Sequence, residues 1–137
     1  MGKILALDFG LKRTGIAITD DSKIFAFGLT TIESKTLTEF LKKTIQKEKI
    51  ETIVLGEPKR LNNEDSHITQ NVYLLKEHLE VYFKEQKIVL HDERFTSKMA
   101  SNVISQSGMS KAKKRNKELI DEISATIILQ SYLSFIS

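Results

Sequence analysis

The stretch KILALDFGLKRTGIAIT, residues 3–19, decides the predicted fold. Two runs rich in aliphatic residues flank a segment that starts with Gly10, a pattern typical of two strands joined by a tight turn. We predict strands over residues 3–9 and 15–19, with the turn over residues 10–14. The protein is therefore predicted to be built on a β-sheet.

The sequence after these first two strands predicts one more strand, and then helices that alternate with strands. Residues 20–22, Asp-Asp-Ser, signal a hairpin turn, so residues 24–31 form the third predicted strand. A first helix follows, and its apolar residues recur at helical spacing: Leu37, Phe40, Leu41 and Ile45. A short fourth strand over residues 52–55 should stop at the Gly-Glu-Pro sequence of residues 56–58.

The second half of the chain predicts three helices and a fifth strand over residues 87–91. One helix starts near Asp65 and carries a single apolar stripe: Ile68, Val72, Leu75, Leu79 and Tyr82. Another helix has Thr96 as its N-cap and ends at Gly108. The last, residues 118–135, is apolar on nearly every side and should be largely buried.

This order of elements predicts an α/β protein with a mixed five-stranded sheet and helices on both faces. Strands separated by helices should join the first strand in parallel, whereas the second strand should run antiparallel to its neighbours. A length of 137 residues fits one domain, residues 1–137.

The composition excludes several classes of protein. The absence of cysteine rules out disulfides, thiolate zinc sites and a cysteine nucleophile. No apolar run approaches the roughly 20 residues of a membrane span, and the apolar stretch before Asp8 is too short for a signal peptide. We therefore expect a cytoplasmic protein with no membrane partner.

The positive charge is concentrated in one short segment, which we call the basic segment: Lys111, Lys113, Lys114, Arg115 and Lys117. The net charge is +3, yet these five account for all of the excess, since the remaining 16 of 21 basic residues are outnumbered by 18 acidic ones. The segment either follows a phosphate backbone or is an ordinary exposed polar loop.

Asp8 is the first candidate for chemistry. It ends an otherwise apolar strand, where a carboxylate is costly unless it is paired or binds a cation. Ligands of open α/β sheets bind beyond the carboxyl ends of strands, which is where Asp8 falls. The alternative is that Asp8 only caps the turn at Gly10.

Three more acidic residues are candidates to join Asp8, on two other elements. Asp92 and Glu93 follow the fifth strand, and alternation along a strand allows only one of them to share the face of Asp8. The alternative is a surface turn with a Glu93–Arg94 pair.

Asp121 lies near the start of the last helix, on one stripe with three apolar residues, Ala125, Ile128 and Tyr132. Its alternative role is a favourable interaction with the helix N-terminus.

Three carboxylates on separate elements suit a hard divalent cation such as Mg²⁺, which takes oxygen ligands. Such ions can activate water and stabilise the leaving oxygen in phosphodiester hydrolysis. The three histidines have no zinc-like spacing, so we interpret them as incidental: His67, His78 and His91.

Three motifs, in order, resemble the YqgF (RuvX) family of pre-16S rRNA nucleases and Holliday-junction-resolvase-like proteins. The first motif, D-x-G-x-x-R-x-G, is matched by LDFGLKRTGIA at residues 7–17. The second, D-E-R-x-[ST]-T, is resembled by DERFTS at residues 92–97. The third, K-x-x-x-D-x-x-[AS]-A, is resembled by KELIDEISA at residues 117–125. Size, motif order and spacing agree over essentially the whole chain.

The resemblance implies an RNase H-like fold, with Asp8, Glu93 and Asp121 as catalytic, metal-binding acids. It also implies Mg²⁺ or Mn²⁺ as cofactor and a substrate of structured RNA or branched DNA, with ribosomal precursor particles as partners. Arg13 and Arg94 match basic positions of the family, and guanidinium groups suit phosphate oxygens. We assign both to substrate binding, together with Thr96 and the basic segment.

The sequence departs from the family pattern at two positions. Glu57 stands where the family commonly has leucine, and it is either an additional acid near the metals or exposed on the loop; we favour the exposed position. Ser97 replaces a common threonine and keeps the hydroxyl.

Three other functions compete with RNA cleavage. The Asp-Phe-Gly…Arg-Thr-Gly pattern also resembles the phosphate-binding hairpin of the actin and sugar-kinase superfamily, which needs two such domains. An RNA-binding assembly factor could keep the acids without hydrolysis. Junction resolution on DNA would require a symmetric dimer, for which the sequence identifies no surface.

Overall fold

The computed structural model describes residues 2–57, 67–92 and 117–136, and for residues 67–69 and 117–121 it describes the backbone alone. Five strands form one sheet in the order β3-β2-β1-β4-β5. Their bounds are β1, Lys3–Phe9; β2, Arg13–Thr19; β3, Ala26–Glu33; β4, Ile50–Glu57; and β5, Lys87–Asp92. The helices are α1, Leu37–Glu48; α2, His67–Tyr82; and α3, Lys117–Ile136, and a 3₁₀ turn, Ser34–Thr36, precedes α1.

The pairing of the strands confirms the predicted mixed sheet. β1 pairs antiparallel with β2, and β2 pairs antiparallel with β3. β1 and β4 are parallel, as are β4 and β5. β1 is thus the central strand, and its residues 4–7 are all buried, as expected of a strand covered on both faces.

Helices cover both faces of the sheet, as predicted. On one face, which we call the α1/α2 face, strand side chains such as Leu5 and Leu7 pack with Leu41 of α1 and Leu79 of α2. On the other, the α3 face, a second cluster joins the sheet to α3: Ile4, Ala6, Ala17, Val54, Ala125, Ile128, Leu129 and Tyr132. Residues with even numbers in β1 therefore lie on the α3 face.

Several predicted bounds were wrong by one or two residues. β2 begins at Arg13 rather than residue 15, and β5 continues to Asp92. The third strand was expected over residues 24–31 but begins at Ala26, because the Asp20 carboxylate accepts the backbone N–H groups of Ile24 and Phe25 at 2.9 and 3.0 Å and holds both in the turn. These two bonds hold the pKa of Asp20 below its usual value.

The fourth strand is longer than the predicted residues 52–55, and it includes Gly56 and Glu57 of the predicted Gly56-Glu57-Pro58 stop. Pro58 lies outside the described residues. Gly56 and Glu57 belong to β4, since they pair with His91 and Asp92 of β5. Their pairing with a neighbouring strand outweighs the local turn signal of the sequence.

Two helix predictions need correction. In α2, Val72 and Leu79 are buried as predicted, but Tyr82 is 46% exposed and Phe83 takes the buried position four residues after Leu79. α3 is buried around Ala125–Tyr132 but not at its end, where Phe135 is 77% exposed. The predicted helix that starts at Thr96 and the predicted start near Asp65 lie outside the described residues.

None of the helices in the described part of the chain combines the length and the apolar character that crossing a membrane requires.

Candidate functional site

Asp8 lies at the carboxyl end of the central strand, on the α3 face. Ile4 and Ala6 of the same strand belong to the cluster beneath α3, and alternation places Asp8 on that face too. Its side chain is partly exposed, and it makes at least one contact with the rest of the protein. Asp8 therefore lies at the carboxyl ends of the strands, with part of the residue exposed.

Glycines border Asp8 on both neighbouring strands. Gly15 of β2 is the cross-strand partner of Asp8. On the other side, Leu7 pairs with Leu55 of β4, and the continued parallel register places Gly56 beside Asp8. Neither glycine has a side chain to occupy the space beside the carboxylate. Glycine within a strand often marks the close approach of a ligand or of another part of the backbone.

The turn after Asp8 is tied to the start of the 3₁₀ turn by Ser34. The Ser34 hydroxyl donates to the Gly10 carbonyl at 2.5 Å and lies 2.8 Å from the buried Thr14 hydroxyl. The Ser34 backbone N–H donates to the Lys12 carbonyl at 2.9 Å. A Cβ at Gly10 would lie only 2.6 Å from the Arg13 carbonyl oxygen, so the turn requires glycine there. Together these contacts hold the D-x-G-x-x-R motif in one conformation.

Arg13 begins β2, opposite Glu33 of β3. Ile16 and Ile18 of β2 point to the α1/α2 face, whereas Ala17 packs under α3. Alternation therefore places Arg13 on the α3 face, the same as Asp8, two residues beyond Gly15 toward the turn. Its predicted contact with substrate phosphate remains a prediction.

Asp92 and Glu57 lie on the opposite face from Asp8. Ile88 and Leu90 place the even-numbered residues of β5 on the α1/α2 face, and Glu57 is the register partner of Asp92. Glu57 is partly exposed and accepts a hydrogen bond from the Tyr73 hydroxyl of α2, which raises the pKa of Tyr73. The strand geometry therefore places Glu57 on the face of the sheet opposite Asp8, which favours the exposed position over the one beside the predicted metal-binding acids.

His91 lies on the α3 face of β5, one residue before Asp92. Its Nε2 lies 2.8 Å from the Ser131 hydroxyl, and its ring makes edge contacts with Tyr132 and Phe135 at centroid distances of 5.8 and 6.0 Å. Burial lowers the pKa of His91, which favours a neutral ring.

The direction of α3 brings its N-terminal end toward Asp8. Glu122 and Thr126 approach Gly28 of β3, whereas Gln130 and Leu133 line a hollow beside the first residues of that strand. α3 thus runs antiparallel to β3, which is parallel to β1. The first turn of α3, with Asp121, therefore lies toward the carboxyl end of β1. Ala125, Ile128 and Tyr132 form the buried stripe that was predicted.

The side chains of the remaining predicted site residues lie outside the described part of the chain. Glu93, Arg94 and Thr96 lie outside the described residues, as do four residues of the basic segment, Lys111, Lys113, Lys114 and Arg115. Lys117 begins α3, and only the backbone of Lys117 and Asp121 is described. Within the described side chains no three acidic or histidine groups form a metal cluster.

Two features of the site were missed by the sequence analysis. Ser34 gives no motif signal, because its bonds to Gly10, Lys12 and Thr14 depend on how three segments meet. The position of Gly56 beside Asp8 depends on the register of β1 and β4. Only the presence of a glycine near the end of an apolar strand could have indicated it.

The model of the RuvX family, described as Holliday junction resolvase, matches residues 2–135. A protein of Flavobacterium johnsoniae named "Putative pre-16S rRNA nuclease" is 50% identical, over 98% of this chain and 97% of its own. A protein of Porphyromonas gingivalis with the same name is 47% identical, over 97% of this chain and 96% of its own.

The fold is similar to that of RuvC from T. thermophilus in complex with a Holliday junction substrate. The TM-score is 0.64 at 9% identity, and the match covers 100% of this chain and 98% of that chain. A second structure of Thermus thermophilus RuvC matches with a TM-score of 0.54. The mixed sheet with helices on both faces is thus the RNase H-like fold. With the family model covering residues 2–135 and relatives matching end to end, this chain belongs to the RuvX family.

Proposed function

We propose that this protein is a metal-dependent nuclease that hydrolyses phosphodiester bonds of pre-16S rRNA in the cytoplasm, at the 5′-end processing step of ribosome biogenesis. The observation that carries the proposal is the position of Asp8. This carboxylate stands at the carboxyl edge of the central strand, between two glycines, in a chain whose relatives are named as pre-16S rRNA nucleases.

The residues at this edge fit a hard divalent cation. Asp8 offers carboxylate oxygens, and its cross-strand partner Gly15 adds no side chain beside them. We propose that Asp8, Glu93 and Asp121 hold Mg²⁺ or Mn²⁺, which when bound would lower the pKa of a water molecule and stabilise the leaving oxygen. Asp92 and Glu57 do not belong to this set, because they lie on the other face of the sheet.

The basic residues would hold the nucleic acid. Arg13 shares the face of Asp8, and Lys117 starts the helix whose first turn lies toward the same end of the sheet. We propose that Arg13, Arg94, Thr96 and the basic segment contact backbone phosphates and lead the strand to the acids. Because phosphate contacts carry no base information, recognition would rest on the shape of the folded RNA.

The experiment is cleavage of an end-labelled pre-16S rRNA fragment that spans the mature 5′ end. We expect cutting with Mg²⁺ or Mn²⁺ and none after EDTA, because the water and the leaving oxygen would lose their stabilising cation. Cutting that persists in EDTA would contradict the proposal. So would intact RNA after incubation with protein and metal, a result that would favour an assembly factor if the RNA is bound.

Resolution of four-way DNA junctions is a second candidate, because the matching family is described by that activity. A labelled junction of the same length as the RNA fragment serves as the parallel substrate. Symmetric nicking of the junction with no cutting of the RNA would move the assignment to DNA.

A further inference from the structure

Four large apolar side chains are exposed along the free edge of the sheet. β3 is an edge strand, and its residues Phe27 and Leu29 are 53% and 42% exposed. Ile24 and Phe25, in the turn that precedes β3, are 64% and 62% exposed. An apolar patch of this kind on one edge is typical of an interaction surface rather than of a solvated one.

A groove lies beside this edge, between β3 and α1. It has a volume of 570 Å³, and its apolar walls come from Ile18, Phe27, Leu29 and Phe40. The β2–β3 turn adjoins this groove, because Asp20 lines it and accepts the backbone N–H groups of Ile24 and Phe25. The exposed side chains of Ile24 and Phe25 themselves line a second hollow, with Gln130 and Leu133 of α3. The surface therefore has a projection, Ile24 and Phe25, and a nearby hollow that could accept such a projection.

The charges around the groove are divided between its two sides. Glu48 is bonded to Lys3 at 2.6 Å, so this acid is already neutralised within the chain. On the α1 side, Lys43 and Lys47 line the groove. On the side of the turn, Asp21 is 91% exposed and, among the residues that the structure describes, forms an ion pair with Lys3 at 4.0 Å. Opposite charges thus stand on the projection and on the rim of the hollow.

We propose that this surface, formed by the β2–β3 turn, the edge of β3 and the groove, joins two copies of the chain about a two-fold axis. In a two-fold interface the same patch meets itself, so a projection and a hollow on one surface can be filled reciprocally. Ile24 and Phe25 of each copy would enter the groove of the other, and Asp21 would lie beside Lys43 and Lys47 of the other copy.

The size of the patch agrees with what a stable dimer needs. Four large side chains that are each about half exposed offer on the order of 400 Å² of apolar surface per copy. A standard interface buries roughly 800 Å² per partner, somewhat more than half of it apolar. The patch therefore supplies most of the apolar area of such an interface.

The two copies would meet through side chains and would not join their edge strands into one continuous sheet, because β3 contains a bulge. Gly28 pairs with Ala17 and Thr30 with Ile16, so Leu29 is an extra residue that forms a bulge. Bulges twist an edge strand and interrupt its pairing with another strand.

The interface is also remote from Asp8, since Lys3 at the amino end of β1 lines the groove and Asp8 lies at the carboxyl end. Both candidate active sites would stay accessible.

The test is sedimentation equilibrium of the full chain from low micromolar to submillimolar concentration. We expect wild-type protein to reach twice the monomer mass, and Phe25→Ser to weaken the dimer by about tenfold or more. Val81→Ser is the matched control, because Val81 is 70% exposed on α2, away from the patch. Circular dichroism checks that each variant is folded.

A charge exchange tests the orientation of the two copies. Asp21→Lys and Lys43→Glu should each weaken the dimer, and the double variant should restore it because the opposite charges are re-formed. A wild-type chain that stays monomeric throughout overturns the proposal and leaves the groove to another partner. A dimer that Phe25→Ser leaves intact, or a double variant no better than the single ones, overturns it as well.

Discussion

Replacing Asp8 by Asn is expected to reduce metal-dependent cleavage of the rRNA fragment by at least about 10³-fold, the scale seen when one member of a catalytic set is removed. Asparagine has nearly the same shape but lacks the charge that would hold a divalent cation. The fold should persist, because Asp8 is partly exposed and the strand pairs of β1 do not involve its side chain. Single-turnover cleavage rates measure the loss.

The control for this variant is Asp21→Asn. Asp21 is also an aspartate next to the end of a strand, but it is 91% exposed and lies near Lys3, at the amino end of β1 and far from Asp8. Its cleavage rate should equal that of wild type, and RNA binding should be similar in all three proteins. If Asp8→Asn cleaves as fast as Asp21→Asn, Asp8 is not catalytic.

Replacing Ile128 by Ala is expected to destabilise the protein by about 2–5 kcal/mol, the usual cost of a cavity in a packed core. Ile128 is completely buried in the cluster that joins α3 to the sheet. The same cluster fixes the position of the helix whose first turn carries Asp121, so cleavage should fall as well. Chemical denaturation gives the free energy of unfolding.

Ile136→Ala is the matched control on the same helix. Ile136 is 49% exposed at the end of α3, so the same chemical change should cost about 0.5 kcal/mol or less. Equal losses of stability in the two variants would mean that α3 does not pack against the sheet through Ile128.

The sequence was sufficient to predict the sheet, because each strand carries its own signal. The apolar run before Asp8 belongs to a central strand that is buried on both faces, and helices between the later strands require parallel pairing. The bounds were less predictable. The start of β3 is set by the Asp20 side chain, and the end of β4 by its pairing with Asp92.

Only part of the candidate site could be predicted from the sequence, because some of its contacts join residues that are far apart in the chain. Asp8 could be found because a charge at the end of an apolar strand is unusual, and alternation already implied that only one of Asp92 and Glu93 shares its face. The structure places Asp92 on the other face, next to Glu57. Contacts between distant segments, such as Ser34 with Gly10, leave no local pattern in a sequence.

The proposed hydrolysis requires a divalent cation bound at Asp8 on the α3 face. Addition of substoichiometric Mn²⁺ to ¹⁵N-labelled protein tests this binding most directly, since the paramagnetic ion broadens the amide signals nearest to it. We expect the strongest broadening at Gly15 and Gly56, the neighbours of Asp8, and its disappearance in Asp8→Asn. Broadening centred on Glu57 and Tyr73, or unchanged in Asp8→Asn, would contradict the proposal.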